Sequence, residues 1–306
     1  MIIYSKLLLQ AHFPLEQNQQ CHLPYYSLKL RQGQLLVMRS QRTKDFLPTI
    51  ENKHCLVEYL KHSSVQLLCV DQNLGELGIK LWADASVQVK KAVFLRLPSN
   101  YKLPNKRNRI SWGLKRLIDM ITAALLLVTL SPLLLVLVLL IRVHMPGPIL
   151  FRQWRVGERG KLFQIIKFRT MVVDAEKLHH QVMANQIGLH KLKDDPRITS
   201  LGRWMRKYSV DELPQLFNVL RGEMSLVGPR PWALYDALRI CPERQKRLNA
   251  LPGITGPWQV EARSNLLELD AVNNYDLEYL DNWSLWKDLK ILLVTIPKVF
   301  SGFGAC

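Results

Sequence analysis

Acidic residues are scarce in this chain of 306 residues: 25 Asp and Glu stand against 42 Lys and Arg, a formal charge of +17 at pH 7. That imbalance excludes a neutral or acidic surface and implies an anionic partner, whether nucleic acid, lipid headgroups or a phosphorylated substrate. Cysteine is scarcer still. Cys21, Cys55, Cys69, Cys241 and Cys306 form no CxxC pair and are odd in number, so neither a disulfide framework nor a structural zinc site is expected, and the plain reading is a reducing compartment. The Leu7–Leu9 run is too short for the apolar core of a secretory signal. Long apolar runs are absent with one exception, Met120–Ile141, which is 22 residues without a charge. What is present is ample apolar material, 48% of residues, enough to exclude a wholly disordered chain, and a length that suggests about two domains.

From about residue 30 to 100, β-rich runs (Gln34–Met38, Val65–Val70, Ala92–Leu97) alternate with a helix-like stretch, Glu51–His62, whose Leu56, Tyr59 and Leu60 share one face. This reads as a small α/β module spanning 1–108. It carries no glycine fingerprint and no metal-ligand spacing, so an accessory role is expected. Six basic residues and no acidic one between Lys102 and Arg116 mark the boundary with a second unit, 109–306. Such a run is commonly a solvated linker or a nucleic-acid patch. Here it abuts the apolar segment, which suits a juxtamembrane patch facing anionic lipid, and no recognition motif makes nucleic acid an expected partner.

As one straight helix the apolar segment reaches roughly 33 Å, enough for a bilayer core of about 30 Å. Ser131-Pro132 interrupts it at the centre, however, where proline removes a donor and forces a bend. The six basic residues before it are matched by Arg152, Arg155, Arg159, Lys161, Lys167 and Arg169 after it, against Glu158 alone. Both flanks therefore look cytoplasmic. A helix at about 117–143 that enters, bends and leaves by the same face satisfies this, with the Ser131 hydroxyl satisfying backbone groups that proline frees. The alternative is an ordinary kinked transmembrane helix.

Beyond the apolar segment, cationic side chains interleave with turn residues: Pro146-Gly147-Pro148, Lys167-Phe168-Arg169-Thr170-Met171, Asp194-Asp195-Pro196-Arg197, Arg203, Arg206 and Lys207. This composition suits a phosphate-bearing ligand, to which arginine offers a bidentate fork. The sharper signal is Ser209-Val210-Asp211-Glu212-Leu213-Pro214-Gln215, two adjacent carboxylates just beyond a basic pair. Ser209 with Glu212 can be merely a capping box, although Pro214 fits poorly with Ser209 as the cap. A helix beginning nearer Asp211 would instead aim free N–H groups at a phosphate. Phosphoryl transfer needs charge neutralisation, an in-line nucleophile and usually a divalent cation. One carboxylate of the pair can hold Mg2+ and the other can attack phosphorus, and residue chemistry alone does not say which does which. Downstream, Pro229-Arg230-Pro231 mounts Arg230 rigidly, or is a tight turn with a solvated arginine. Pro252-Gly253-Ile254-Thr255-Gly256, followed by Trp258 and Gln259, reads as a turn leading into an extended stretch.

These blocks occur in one order over the region from about Lys115 to Ala305: Lys115-Arg116-x-x-Asp119, Ser131-Pro132, Gly147-Pro148, Phe151-x-Gln153-x-Arg155-x-Gly157, Lys167 to Met171, Asp195-Pro196-Arg197, Asp211 to Gln215, Val227 to Pro231 and Pro252 to Gly256. In that order the region resembles the bacterial sugar transferases, the monotopic polyprenyl-phosphate glycosyl-1-phosphate transferases that initiate exopolysaccharide, capsule and O-antigen synthesis. The resemblance implies an α+β catalytic domain with a re-entrant, Pro-broken helix and amphipathic interfacial helices. It also implies transfer of a sugar 1-phosphate from a UDP-sugar to undecaprenyl phosphate, with Mg2+ and release of UMP. The Asp of the family's dyad, here Asp211, attacks the β-phosphorus; the Glu, here Glu212, goes with the metal; and the basic residue five positions earlier, here Arg206, contacts phosphate. Lys167, Arg169, Arg197, Arg230 and Gln215 complete the candidate phosphate- and substrate-binding set.

The implied location is the bacterial inner membrane, with the catalytic part on its cytoplasmic face. Larger relatives carry membrane helices where this chain has its module, so their oligomeric state does not carry over and a homo-oligomer stays open. Ser209-Val210 replaces a usual Ser-Leu, and Cys306 stands where an aromatic often closes the family's Gly-Ala ending. The C-terminal helix, about Leu285–Phe300, sets Leu285, Leu289, Leu292, Ile296 and Val299 on one face, a stripe that ordinarily packs into a core, although Trp283 and Trp286 beside lysines suit a membrane interface. A catalytically silent membrane scaffold for polysaccharide assembly is the competing reading, which the intact dyad and its arginines oppose. No residue identifies the sugar.

Overall fold

The computed structural model describes residues 26–39, 50–96, 109–175, 195–239, 242–261 and 269–301. The Leu7–Leu9 run, Cys21, Lys102 to Arg107, Asp194, Cys241 and Cys306 lie outside these residues. The first unit opens with a hairpin of β1 (Tyr26–Arg31) and β2 (Gln34–Arg39). Its two-residue turn, Gln32-Gly33, has φ of 48° and 76°, the doubly positive geometry that matches the twist of paired strands. Helix α1 (Ile50–His62), β3 (Leu67–Val70), α2 (Gly75–Gln88) and β4 (Ala92–Leu95) follow. The strands lie in the order β1-β2-β3-β4, parallel after the hairpin. The expected runs thus fall on β2, β3, β4 and α1, and Leu56 and Leu60 are fully buried. Cys69 is a free thiol, whereas Cys55 is disulfide-bonded, which corrects the expectation of no bridge at that position. A disulfide joins positions that the fold brings close, and spacing along the chain does not reveal them.

The second unit contains α3 (Arg109–Thr129), α4 (Ser131–His144), β5 (Leu150–Val156), β6 (Leu162–Phe168), α5 (Ser200–Lys207), a 3-10 turn at Val210–Glu212, α6 (Gln215–Leu220) and β7 (Ser225–Val227). It continues through β8 (Trp232–Ala233), α7 (Leu234–Ala237), a 3-10 segment at Pro242–Asn249, β9 (Gly253–Thr255), α8 (Pro257–Glu261), α9 (Leu269–Asp281) and α10 (Leu285–Ser301). One sheet runs β6-β5-β8 and a parallel pair joins β7 to β9, a mixed helix-and-sheet architecture of the expected α+β kind. The extended stretch expected after Pro252 lasts three residues, and Trp258 and Gln259 lie instead in α8.

The two units share one apolar core: Leu35, Val70 and Trp82 of the module are buried in the same cluster as Trp154, Trp232 and Trp258. Trp154 Nε1 donates to Asp84 Oδ1 at 2.7 Å, and Phe94 bridges to Lys161 at the head of β6.

Helices α3 and α4 are bent by 62° at Leu130. Pro132 has no N–H to give the Val128 carbonyl four residues back, and the Ser131 hydroxyl bonds that carbonyl at 2.8 Å. Among the described residues no single helix is long and apolar enough to cross a membrane. The outer face of the pair leaves Ile121, Leu125, Val128, Leu135, Leu139 and Val143 exposed, while Leu137 and Ile141 pack against Phe168 and Met205. Buried polar groups seat α3 on the rest of the unit. Lys115 Nζ reaches Asp288 Oδ2 on α10 at 2.6 Å and the Val227 carbonyl at 3.0 Å; Asp119 accepts from Ser225 Oγ and the Leu226 N–H; Arg116 bonds the Val219 and Met224 carbonyls.

The expected core stripe of the C-terminal helix is corrected. In α10 the buried residues are Asp288 and Ile291, whereas Trp286, Leu289, Leu293, Ile296 and Phe300 are exposed. The helix is amphipathic, and the face seated on the unit is the one carrying Asp288, Ile291 and Thr295, chosen by the Lys115–Asp288 pair and the Thr255–Thr295 hydroxyl contact and not by the apolar stripe.

Candidate active site

The segment Lys167 to Met171 distributes its side chains by strand alternation. Lys167 projects toward the 3-10 turn and donates to Glu212 Oε1 at 2.5 Å. Phe168 turns the other way, into the cluster with Leu137 and Met145. Thr170 Oγ1 accepts from Arg206 Nε at 2.9 Å. Arg169 donates to the carbonyls of Pro148, Met145 and Pro146 at 2.5, 2.8 and 2.8 Å. The guanidinium proposed from sequence for phosphate thus clamps the turn that leaves α4. Arg197 is likewise committed: Nε and Nη2 grip Asp195 at 2.8 and 2.6 Å, with both side chains buried. Burial opposes ionisation of Asp195, but these bonds and charges outweigh it and hold its pKa low.

Helix α5 brings Arg206 to the site. Thr199 caps it by accepting from the Gly202 N–H at 3.0 Å, and Arg206 and Lys207 occupy its last turn, where cations suit the helix dipole. Packing against the chain just beyond β6 is so close that a Cβ on Gly202 would lie 2.0 Å from the Thr170 carbonyl oxygen. Gly202→Ala is therefore expected to lower stability by about 1–3 kcal/mol by forcing α5 off the Thr170 backbone. Thermal unfolding of the purified variant checks this, and an unchanged melting temperature would count against so tight a packing.

After α5 the chain reverses at Ser209, whose φ of 53° and ψ of 19° are left-handed, a strained choice for serine costing roughly 1–2 kcal/mol. This reversal folds Asp211 back toward Arg206. The Glu212 N–H bonds the Ser209 carbonyl at 3.1 Å, and the Ser209 side chain makes no capping bond, so the capping box is not formed. The helical turn that begins beside Asp211 is the short 3-10 segment from Val210, and α6 follows from Gln215, with Pro214 as its cap. Asp211 and Gln215 are buried, and Lys167 and Glu212 are each about one-fifth exposed.

The electrostatics tie the group together. Burial lowers the Lys167 pKa, Glu212 and Asp211 work the other way, and the Arg230 charge lowers it further. Burial also lowers the Arg206 pKa, opposed by Asp211, Asp195 and Glu212. Lys167 therefore lies within electrostatic reach of Asp211, Glu212 and Arg230, and Arg206 within reach of Asp211, Glu212, Asp195 and Arg197. Arg230 stacks over the Trp258 ring at 5.2 Å. Its loop is held by the Pro252–Gly256 segment, with Gly253 N–H to the Pro229 carbonyl at 2.9 Å and Gly228 N–H to the Thr255 carbonyl at 3.0 Å. Sequence reading missed Arg247 and Asp276, a buried pair behind Arg230. Nothing in a charged stretch of ordinary composition singles either out.

Two carboxylates among cationic side chains are equipment for handling phosphate. Residues 110–302 match the bacterial sugar transferase family, and the chain belongs to it. Its relatives include a galactosyl transferase, CpsE, of Streptococcus agalactiae, 45% identical over 52% of this chain and 36% of that protein. An undecaprenyl-phosphate galactose phosphotransferase of Salmonella typhimurium is 41% identical over 66% of this chain and 43% of its own length. A UDP-glucose:undecaprenyl-phosphate glucose-1-phosphate transferase of Caulobacter vibrioides is 44% identical over 61% of this chain and 70% of its own length. The match thus spans less than half of the first two relatives and most of the third.

Proposed function

We propose that this chain transfers a sugar 1-phosphate from a UDP-sugar to undecaprenyl phosphate, the first membrane step in building an exopolysaccharide, capsule or O-antigen. The observation that carries the reading is the Asp211–Glu212 pair set among Lys167, Arg206 and Arg230 in a chain of this family. An Asp211 carboxylate oxygen attacks the β-phosphorus, and the bond from phosphorus to the UMP oxygen breaks, with UMP leaving with the electron pair. Arg206 and Arg230 hold the phosphate oxygens, and Lys167 holds Glu212 in place. In the second half-reaction a phosphate oxygen of undecaprenyl phosphate attacks the same phosphorus. The bond to Asp211 breaks, the carboxylate is regenerated, and the product is the diphosphate-linked lipid.

Mg2+ fits this donor set. No group of three acidic, His or Cys ligands occurs among the described residues, and Mg2+ is normally held by one or two carboxylates with substrate phosphates completing its shell. Glu212 and Asp211 would hold it, and when bound it neutralises charge on the diphosphate. The exposed apolar faces of α3, α4 and α10 support a re-entrant seat in the lipid bilayer, and basic flanks on both sides support a cytoplasmic catalytic face.

The test is UMP release by membranes containing the full chain, with undecaprenyl phosphate and a panel of UDP-sugars, with and without a chelator. Release with one sugar, lost on chelation and regained with added Mg2+, is expected. Release with no sugar from folded protein would shift the reading to a silent scaffold.

A further inference from the structure

Across Pro229-Arg230-Pro231 only one backbone N–H is available, and the backbone pairing that holds the loop, Gly253 N–H to the Pro229 carbonyl and Gly228 N–H to the Thr255 carbonyl, stops short of the Arg230 peptide. Side chains fix that peptide. The Arg230 carbonyl accepts from Arg247 Nη2 at 2.8 Å, and the same nitrogen bonds Asp276 Oδ2. The Arg247 and Asp276 side chains are 1% and 0% exposed. Arg247 is further held over the Trp232 ring at 4.2 Å. The Arg230 N–H faces the Asp276 carboxylate: burial pushes that carboxyl up to about 6, and the Arg247 charge and this N–H pull against it.

As a stability device the pair is poor. Two buried charges carry a desolvation penalty that an apolar pair of the same volume avoids. Arg247 Nε and Nη1 also lack hydrogen-bond partners among the described residues. The hydrogen bond it makes outside the pair goes to Arg230. That residue's guanidinium is gripped at the other end by Trp258 and acts electrostatically on Lys167.

We infer that the buried Arg247–Asp276 pair is a positioning device, fixing the Arg230 peptide so that its guanidinium meets the donor diphosphate in one orientation. The inference rests on the reading of Arg230 as a phosphate ligand. Asp276 orients Arg247, Arg247 holds the Arg230 carbonyl, and Trp258 sets the side chain. Neither Arg247 nor Asp276 touches substrate.

A double-mutant cycle on the purified full chain tests this, using Arg247→Lys, Arg230→Ala and the combination, with UMP release and UDP affinity as readouts. Lysine keeps the charge but is shorter and lacks the planar guanidinium that lies over the Trp232 ring, so it cannot hold the donor at the same place. Arg247→Lys alone is expected to lower kcat/KM about 10- to 100-fold, because a small misplacement of a substrate-holding group is that harmful. In the Arg230→Ala background the same change should cost less than about two-fold, since nothing is left to position. Penalties that multiply would mean that the pair acts only on the fold, and would overturn the inference. Where Arg247→Lys fails to fold, Arg247→Met with Asp276→Leu replaces the pair by apolar groups of similar volume. That protein should fold, show the same penalty, and lose it in the Arg230→Ala background; wild-type kcat/KM in it would overturn the inference. Full activity in Arg230→Ala alone would remove the phosphate role of Arg230 and the inference with it. Wild-type protein that binds UDP but releases no UMP would defeat the proposed reaction instead, and the cycle on UDP affinity then decides the positioning by the same criterion.

Discussion

Transfer by the Asp211→Asn protein is expected to fall by on the order of 10⁴-fold or more with the fold intact. Asparagine keeps the size of a side chain that is only 7% exposed, so the 3-10 turn that carries it has no steric reason to move. What it loses is the oxygen that the proposed mechanism uses as nucleophile and a negative charge that acts on both Arg206 and Lys167. Two measurements separate nucleophile from metal ligand. The first is exchange of labelled UMP into UDP-sugar without lipid acceptor, which requires a covalent phosphosugar on the protein; wild type should exchange and Asp211→Asn should not. The second is a Mg2+ titration of both dyad variants. Glu212→Gln, which weakens the 2.5 Å contact to Lys167 and the proposed metal donor, should need more Mg2+ yet keep measurable exchange. Rescue of Asp211→Asn by high Mg2+ would exchange the two roles.

The contrast between Asp211 and Arg169 shows what a sequence displays and what it hides. Adjacent carboxylates just past basic residues are a local chemical statement, and the dyad is legible for that reason. So is Ser131, because the carbonyl that Pro132 leaves bare lies three residues from the hydroxyl that bonds it. Arginine, by contrast, suits phosphate, carboxylate and backbone carbonyls equally, and only the fold decides among them: Arg169 faces carbonyls 21 to 24 residues away, and Arg197 an aspartate two residues away. The α/β module was readable from alternation in β2 and β4, yet its fusion to the catalytic core through Trp82, Trp154 and Trp232 was not, since burial between units leaves no periodic mark. The pairs that seat α3 and Arg230 join positions 173 and 29 residues apart.

The Lys115–Asp288 pair carries the other large effect. Lys115→Met is expected to lower stability by about 3–5 kcal/mol, because it strands Asp119 and Asp288 in a buried site without their shared cation. Asp288 also accepts from Tyr279 Oη at 2.5 Å and Trp283 Nε1 at 3.1 Å, so its carboxylate is built into α9 and α10 and cannot swing out to water. Burial and that carboxylate keep the Tyr279 phenol well above its usual pKa, so it remains the donor. Adding Asp288→Asn to Lys115→Met removes the stranded charge while keeping an acceptor for Tyr279. The double variant should therefore be more stable than the single one, which denaturant unfolding of both proteins measures directly. If the double variant is instead the weaker, the pair contributes by its attraction and not by its compensation of buried charge. The consequence reaches the site, because Lys115 also bonds the Val227 carbonyl at 3.0 Å, two residues before Pro229. An α3 that has lost this anchor loosens the strand that leads into the Arg230 loop. Residual activity in folded Lys115→Met protein should accordingly show a raised KM for the UDP-sugar, whereas an unchanged KM would confine the pair to stability.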